Sequence, residues 1–133
     1  MSSYRILLAE DHVLVRQGIK KIIQEDEELQ VIGEAGDGFG LLELMEKNVA
    51  DMVIVDISMP RIRGLELIKY IKKLYPTVKV LVLTMHKSKD YLYEAMSNGA
   101  DGYLLKEDAD TSLHSAIKTI RRGNSYISRL LFT

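Results

Sequence analysis

Met52-Val53-Ile54-Val55-Asp56 sets four apolar residues in a row and closes them with a carboxylate. The run is continuous rather than alternating and rich in β-branched side chains, which is how a strand buried on both faces of a parallel sheet reads. Four similar runs, at residues 4–9, 30–33, 78–83 and 103–105, bring the expected strands to five, with the central one over 52–55. Between them lie stretches with helical period. Val15, Ile19, Ile22 and Ile23 form one stripe, and Leu41, Leu42, Leu44 and Met45 a second. Leu65, Ile68, Ile71 and Leu74 follow, then Tyr91, Leu92, Ala95 and Met96, then Leu113, Ala116, Ile117 and Ile120. Five strands alternating with five helices predict an α/β fold, a doubly wound parallel sheet covered on both faces.

Punctuation fits the same map. Pro76 stops the third helix, while Gly99 and Gly123 stand where left-handed residues would close the fourth and fifth. Gly18 sits inside the first helix, at a cost of about 1 kcal/mol relative to alanine. The chain has 133 residues, enough for one domain with a true core. With 47% hydrophobic and 28% charged residues it matches globular proteins and excludes a disordered or fibrous chain. Cysteine is absent, which excludes disulfide scaffolds and thiolate metal sites and agrees with a reducing compartment. No apolar run approaches the roughly 20 residues that span a bilayer. The expectation is a cytoplasmic protein without membrane contact. The net charge of −1 gives no general attraction to nucleic acid.

In an open parallel sheet, ligands bind beyond the carboxyl ends of the strands. The residues that close the runs are Glu10 and Asp11 after the first, Asp56 after the third, Thr84 after the fourth and Lys106 after the fifth. Taken singly each has an ordinary explanation: a cap, a loop carboxylate, a strand-end threonine, a surface lysine. Delivered together to one edge, they describe a site. Three carboxylates in one cleft repel, so a carboxyl pKa rises there unless a cation is bound. An oxygen-only cluster suits a hard hydrated ion, best Mg²⁺, with phosphate as its exogenous partner. A carboxylate so placed can act as nucleophile towards a phosphoryl group. Lys106 would then neutralise one phosphoryl oxygen and Thr84 would hydrogen-bond another.

The segments Leu7-Leu8-Ala9-Glu10-Asp11-His12, Val53-Ile54-Val55-Asp56-Ile57-Ser58-Met59-Pro60 with Gly64, Val82-Leu83-Thr84 and Gly102-Tyr103-Leu104-Leu105-Lys106 resemble a response-regulator receiver domain, the CheY-like family. Finer details, among them Gly99-Ala100-Asp101-Gly102-Tyr103 and Gly123-Asn124-Ser125-Tyr126-Ile127-Ser128, resemble the NarL/LuxR-type transcriptional regulators of that family. The resemblance implies a flavodoxin-like five-stranded sheet in the order 2-1-3-4-5. It implies that Asp56 is the phosphoacceptor in two-component signal transduction and that a sensor histidine kinase supplies the phosphoryl group. It places Mg²⁺ on Glu10, Asp11, Asp56 and the backbone carbonyl of Ser58, and makes Thr84 and Tyr103 the switch pair. Arg61 and Arg63 make the loop after Pro60 more basic than in many receivers, and Met85 is bulkier than the small residue common after the switch threonine. The expected layout is a receiver over residues 1–123 and a tail, 124–133, that begins a linker. DNA would be bound only through a C-terminal helix-turn-helix domain not present in this sequence, and phosphorylation would favour a homodimer. Leu130-Leu131-Phe132 supports the linker reading, as an apolar stretch with no evident element to cover it.

Two other functions compete. A stand-alone Mg²⁺-dependent phosphatase or phosphotransferase would want a second carboxylate two residues past the nucleophile, and Ser58 stands there. A flavodoxin-like cofactor binder would have to accept an anionic phosphate at an acidic site. Gly36, Gly38 and Gly40 have the wrong spacing for a dinucleotide fingerprint and read as a flexible turn. Lys118, Arg121 and Arg122 share the outer side of the last helix and read as a solvated or protein-docking face.

Overall fold

The computed structural model describes residues 3–59 and 63–132, so Pro60 and Arg61 lie outside the described residues. Strands β1 (Tyr4–Ala9), β2 (Leu29–Ala35), β3 (Met52–Asp56), β4 (Lys79–Thr84) and β5 (Gly102–Leu105) alternate with helices α1 (Val13–Gln24), α2 (Gly38–Lys47), α3 (Gly64–Leu74), α4 (Lys89–Ser97) and α5 (Ala109–Arg121). A sixth strand, β6 (Tyr126–Ile127), corrects the expected five. The order is β2-β1-β3-β4-β5-β6, with every pairing parallel.

Alternating side chains build two cores. Leu7, Ala9, Val53, Val55, Val80, Val82, Tyr103 and Leu105 face α2, α3 and α4. Ile6, Leu8, Met52, Ile54, Leu81, Leu83 and Leu104 face α1 and α5. Because β3 is covered on both sides, every one of its residues is buried, Asp56 included. Most of the predicted stripes turn inward, but Leu74 at the end of the third is half exposed.

Gly99 and Gly123 have φ of +107° and +97°, as helix-closing residues require. The glycine-rich stretch is not a flexible turn: Asp37 caps α2 by accepting the Gly40 N–H at 2.8 Å, and Gly38 and Gly40 lie in the first turn of that helix. Arg121 is not merely solvated, for its guanidinium stacks 4.6 Å over the Tyr4 ring. Gly18 is exposed, and a methyl added there meets nothing within 4 Å. Gly18→Ala should therefore stabilise the fold by about 1 kcal/mol, read as a higher urea midpoint with unchanged slope.

The tail does have a partner element. β6 extends the sheet beside β5, Leu131 in the following 3-10 turn (Arg129–Phe132) is buried, and Leu130 packs on the same cluster. The side chain of Phe132 is outside what the structure describes.

Candidate functional site

Strand register gathers the site. Ala9 pairs with Val55, so Glu10 emerges level with Asp56. Asp56 pairs with Leu83 and Thr84 with Leu105, which sets Thr84 and Lys106 one step further along the same edge. Glu10, Asp56 and Thr84 are buried and Asp11 is exposed. Glu10, Asp11 and Asp56 each present a carboxylate oxygen, and these oxygens lie within 4.8 Å of one another.

Local bonds fix each group. Asp56 Oδ1 accepts the Ser58 N–H at 2.9 Å, closing the turn that leaves β3. Glu10 Oε2 accepts the His12 N–H at 3.1 Å, and Arg16 from α1 donates to the Glu10 carbonyl at 2.9 Å. Lys106 Nζ stands 2.5 Å from Glu10 Oε1 and 3.2 Å from Asp56 Oδ2. The ammonium thus bridges the two buried carboxylates.

The electrostatics follow. Burial pushes the Glu10 carboxyl above its ordinary value, and Asp56 adds to the rise, while hydrogen bonds from Lys106 and His12 work against it. For Lys106 burial acts downward, but the hydrogen bond to Glu10 and the charge and hydrogen bond of Asp56 outweigh it, and its pKa is raised. Two buried carboxylates share one ammonium, with a third carboxylate at the rim. Glu10 Oε1 is withdrawn from water and has the Lys106 ammonium as its partner. Three converging carboxylates, two of them sharing a single ammonium, are a donor set that fits a hard divalent cation. The Ser58 carbonyl as a further ligand rests on the family resemblance alone.

Thr84 Oγ1 accepts the His86 N–H at 3.0 Å, and its hydroxyl also hydrogen-bonds the Tyr103 side chain. Tyr103 is fully buried, and its hydroxyl donates to the His86 carbonyl at 2.9 Å. His86 links four groups. Its backbone joins Thr84 and Tyr103, its Nε2 lies 3.3 Å from Ser58 Oγ, and its ring meets Tyr91 edge-on at 5.0 Å. Its place two residues after Thr84 was the only hint. Ser128, fully buried in the tail, was missed altogether.

The family described as response regulator receiver domain matches residues 6–118. The chain is 40% identical over 124 residues to the transcriptional regulatory protein DegU of Brevibacillus brevis, covering 92% of this chain and 52% of that one. It is 35% identical over 130 residues to the oxygen regulatory protein NreC of Staphylococcus carnosus, covering 97% and 60%. The isolated receiver (REC) domain of RcsB from Salmonella enterica serovar Typhimurium, solved with the phosphomimetic BeF3-, superposes with a TM-score of 0.91 at 31% identity, covering 98% of this chain and 96% of that one. The chain thus spans just over half the length of the curated relatives it matches. Among the described residues, no helix is long and apolar enough to cross a membrane.

Proposed function

This chain belongs to the response regulator receiver domain family, and from that premise we propose that Asp56 is its phosphoacceptor. It is a receiver domain of two-component signalling, homologous to transcriptional regulators. The observation that supports the assignment is the buried Asp56 carboxylate, with Lys106 Nζ 3.2 Å from one oxygen and the Ser58 N–H 2.9 Å from the other. An Asp56 oxygen attacks phosphorus, a bond forms to it, and the bond from phosphorus to the donor breaks, its electron pair leaving with the donor. The donor is a phosphohistidine of a sensor kinase in the cell, or an acyl phosphate in vitro. Glu10, Asp11 and Asp56 would hold Mg²⁺, which supplies positive charge against the phosphoryl oxygens. Lys106 neutralises another of those oxygens, and the Thr84 hydroxyl, turned from Tyr103 to the phosphoryl group, donates to a third.

The receiver unit is assigned to residues 1–123, with 124–133 leading to a DNA-binding output domain of the helix-turn-helix class. The lengths of DegU and NreC support this reading. Phosphorylation-dependent dimerisation, a cytoplasmic location and slow self-catalysed gain and loss of phosphate complete the reading. Ser58, in place of a second carboxylate, leaves a fast phosphatase without a proton donor.

The test is intact mass after incubation with an acyl-phosphate donor. One phosphoryl group should be added with Mg²⁺ present, and none after chelation. Equal labelling with and without Mg²⁺ would remove the metal from the scheme. Thr84→Ala should still accept phosphate but transmit less of it, because it loses the donor to the phosphoryl group and the acceptor for the His86 N–H. A bond of this kind is worth about 1–3 kcal/mol, enough to bias a two-state equilibrium without locking it. Amide shifts at His86 and Tyr103 on phosphorylation should shrink in the variant; identical shifts in variant and parent would sink the coupling.

A further inference from the structure

Among the described residues, four polar side chains are buried: Glu10, Asp56, Thr84 and Ser128. The first three belong to the site. Ser128 comes from the tail, and its Oγ accepts the Leu105 N–H at 2.9 Å. Its own N–H donates to the Tyr103 carbonyl at 2.9 Å, and the Tyr126 N–H donates to the Asp101 carbonyl at 3.2 Å. A hydroxyl wholly withdrawn from water needs such a partner, so the fit of Ser128 is specific to this docked geometry. Beyond it, Leu131 enters the buried cluster that contains Tyr103 and Leu105, with Ile127 and Leu130 packed against it. A two-residue ladder, one side-chain bond and one buried leucine are a small attachment, and such segments open at lower free energy than a core.

Leu105, which Ser128 holds, directly precedes Lys106, whose ammonium faces Glu10 and Asp56. Tyr103, covered by the same segment, reaches the His86 carbonyl, and the His86 N–H is bonded to Thr84. Both residues that would meet a phosphoryl group are therefore within a few bonded steps of the tail. We infer that residues 126–131 form a strap whose docking on β5 is coupled, through Leu105 and Lys106, to occupancy of the site at Asp56. The sign follows from the arrangement. With the strap docked, Lys106 already reaches Asp56 and Tyr103 is already buried, so the docked state is the one assembled to take the phosphoryl group. Phosphorylation then tightens the strap, and by linkage a loosened strap disfavours phosphorylation. The phosphorylation arm of the test rests on Asp56 being the phosphoacceptor; the mechanical link through Lys106 does not.

Hydrogen exchange of the Leu105, Tyr126 and Ser128 amides in the 133-residue chain reads the strap directly. In protein shown by intact mass to be phosphorylated, these amides should exchange about fivefold or more slowly than in the unlabelled chain. Ser128→Ala and Leu131→Ala, which hold Lys106 less firmly against Asp56, should take phosphate about fivefold or more slowly than the parent, with circular dichroism confirming that each is folded. Should Leu131→Ala not fold, the labelling rate of Ser128→Ala decides alone. Exchange unchanged on labelled protein, or strap variants labelled at the parent rate, would overturn the proposal. If no labelling occurs at all, the Asp56 assignment fails, and Lys106→Met in the unlabelled chain decides the strap alone. Faster Leu105 exchange in that variant supports the link, and unchanged exchange overturns it.

Discussion

Asp56→Asn will take up no phosphoryl group from an acyl-phosphate donor under conditions that label the parent fully. The substitution is nearly isosteric. An asparagine carbonyl oxygen can still accept the Ser58 N–H that closes the turn after β3, so the backbone around the site has no reason to move. What is lost is the nucleophile and half of the charge that holds Lys106, which keeps Glu10 as its partner. The variant should therefore be folded and inert, and labelling at the parent rate would reject Asp56 as the acceptor. A second readout follows from Glu10. Its carboxyl is raised by burial and by Asp56 above the ordinary 4.5, so ionising it costs stability. That cost is complete above the folded pKa and fades as the pH falls through it, so acidification in that window makes this group's contribution more favourable. With Asp56 neutral the rise is smaller, and the stability gained by Asp56→Asn on acidification should be smaller than that of the parent.

Gly64→Ala should be the most damaging of the small substitutions. A Cβ at Gly64 would sit 2.3 Å from the Ile57 Cα and 2.7 Å from the Ile57 carbonyl oxygen. Both are backbone atoms of the turn between Asp56 and Ser58, so no side-chain rotation relieves the contact. Either α3 or the turn must shift, at a cost of about 3 kcal/mol. Because the Ser58 N–H orients Asp56, the same shift should slow phosphoryl uptake. Gly33→Ala is the control, since its nearest contacts are the flexible ends of Leu7 and Leu44 at 2.9 Å and 3.3 Å. A urea midpoint for Gly64→Ala equal to that of the parent would show that the turn yields freely, contrary to this packing.

The site was legible because its parts are strand-closing residues. A parallel sheet aligns the ends of its strands, and a charged or polar residue closing an apolar run marks such an end without knowledge of anything distant. Glu10, Asp11, Asp56, Thr84 and Lys106 all stand out in this way, and the observed registers bring them to one edge. Pairing within the edge was not legible. That Lys106 bridges Glu10 and Asp56 depends on side-chain reach across three strands. The role of His86 rests largely on its backbone groups, which leave no sequence signal.

Local pattern determined the alternation of strands and helices, the burial of β3 and the left-handed glycines at 99 and 123, since each depends on neighbours within a turn or two of chain. Long-range packing alone settled the tail. A strand as short as Tyr126–Ile127 has no period to detect, and it forms because β5 offers unpaired backbone groups on an otherwise open edge. The same holds for Ser128, whose burial follows from a bond to Leu105, and for Tyr103, whose ring is inside because the His86 carbonyl takes its hydroxyl. A buried polar group is stable only with its partner in place, and those partners lie 23 and 17 residues away along the chain.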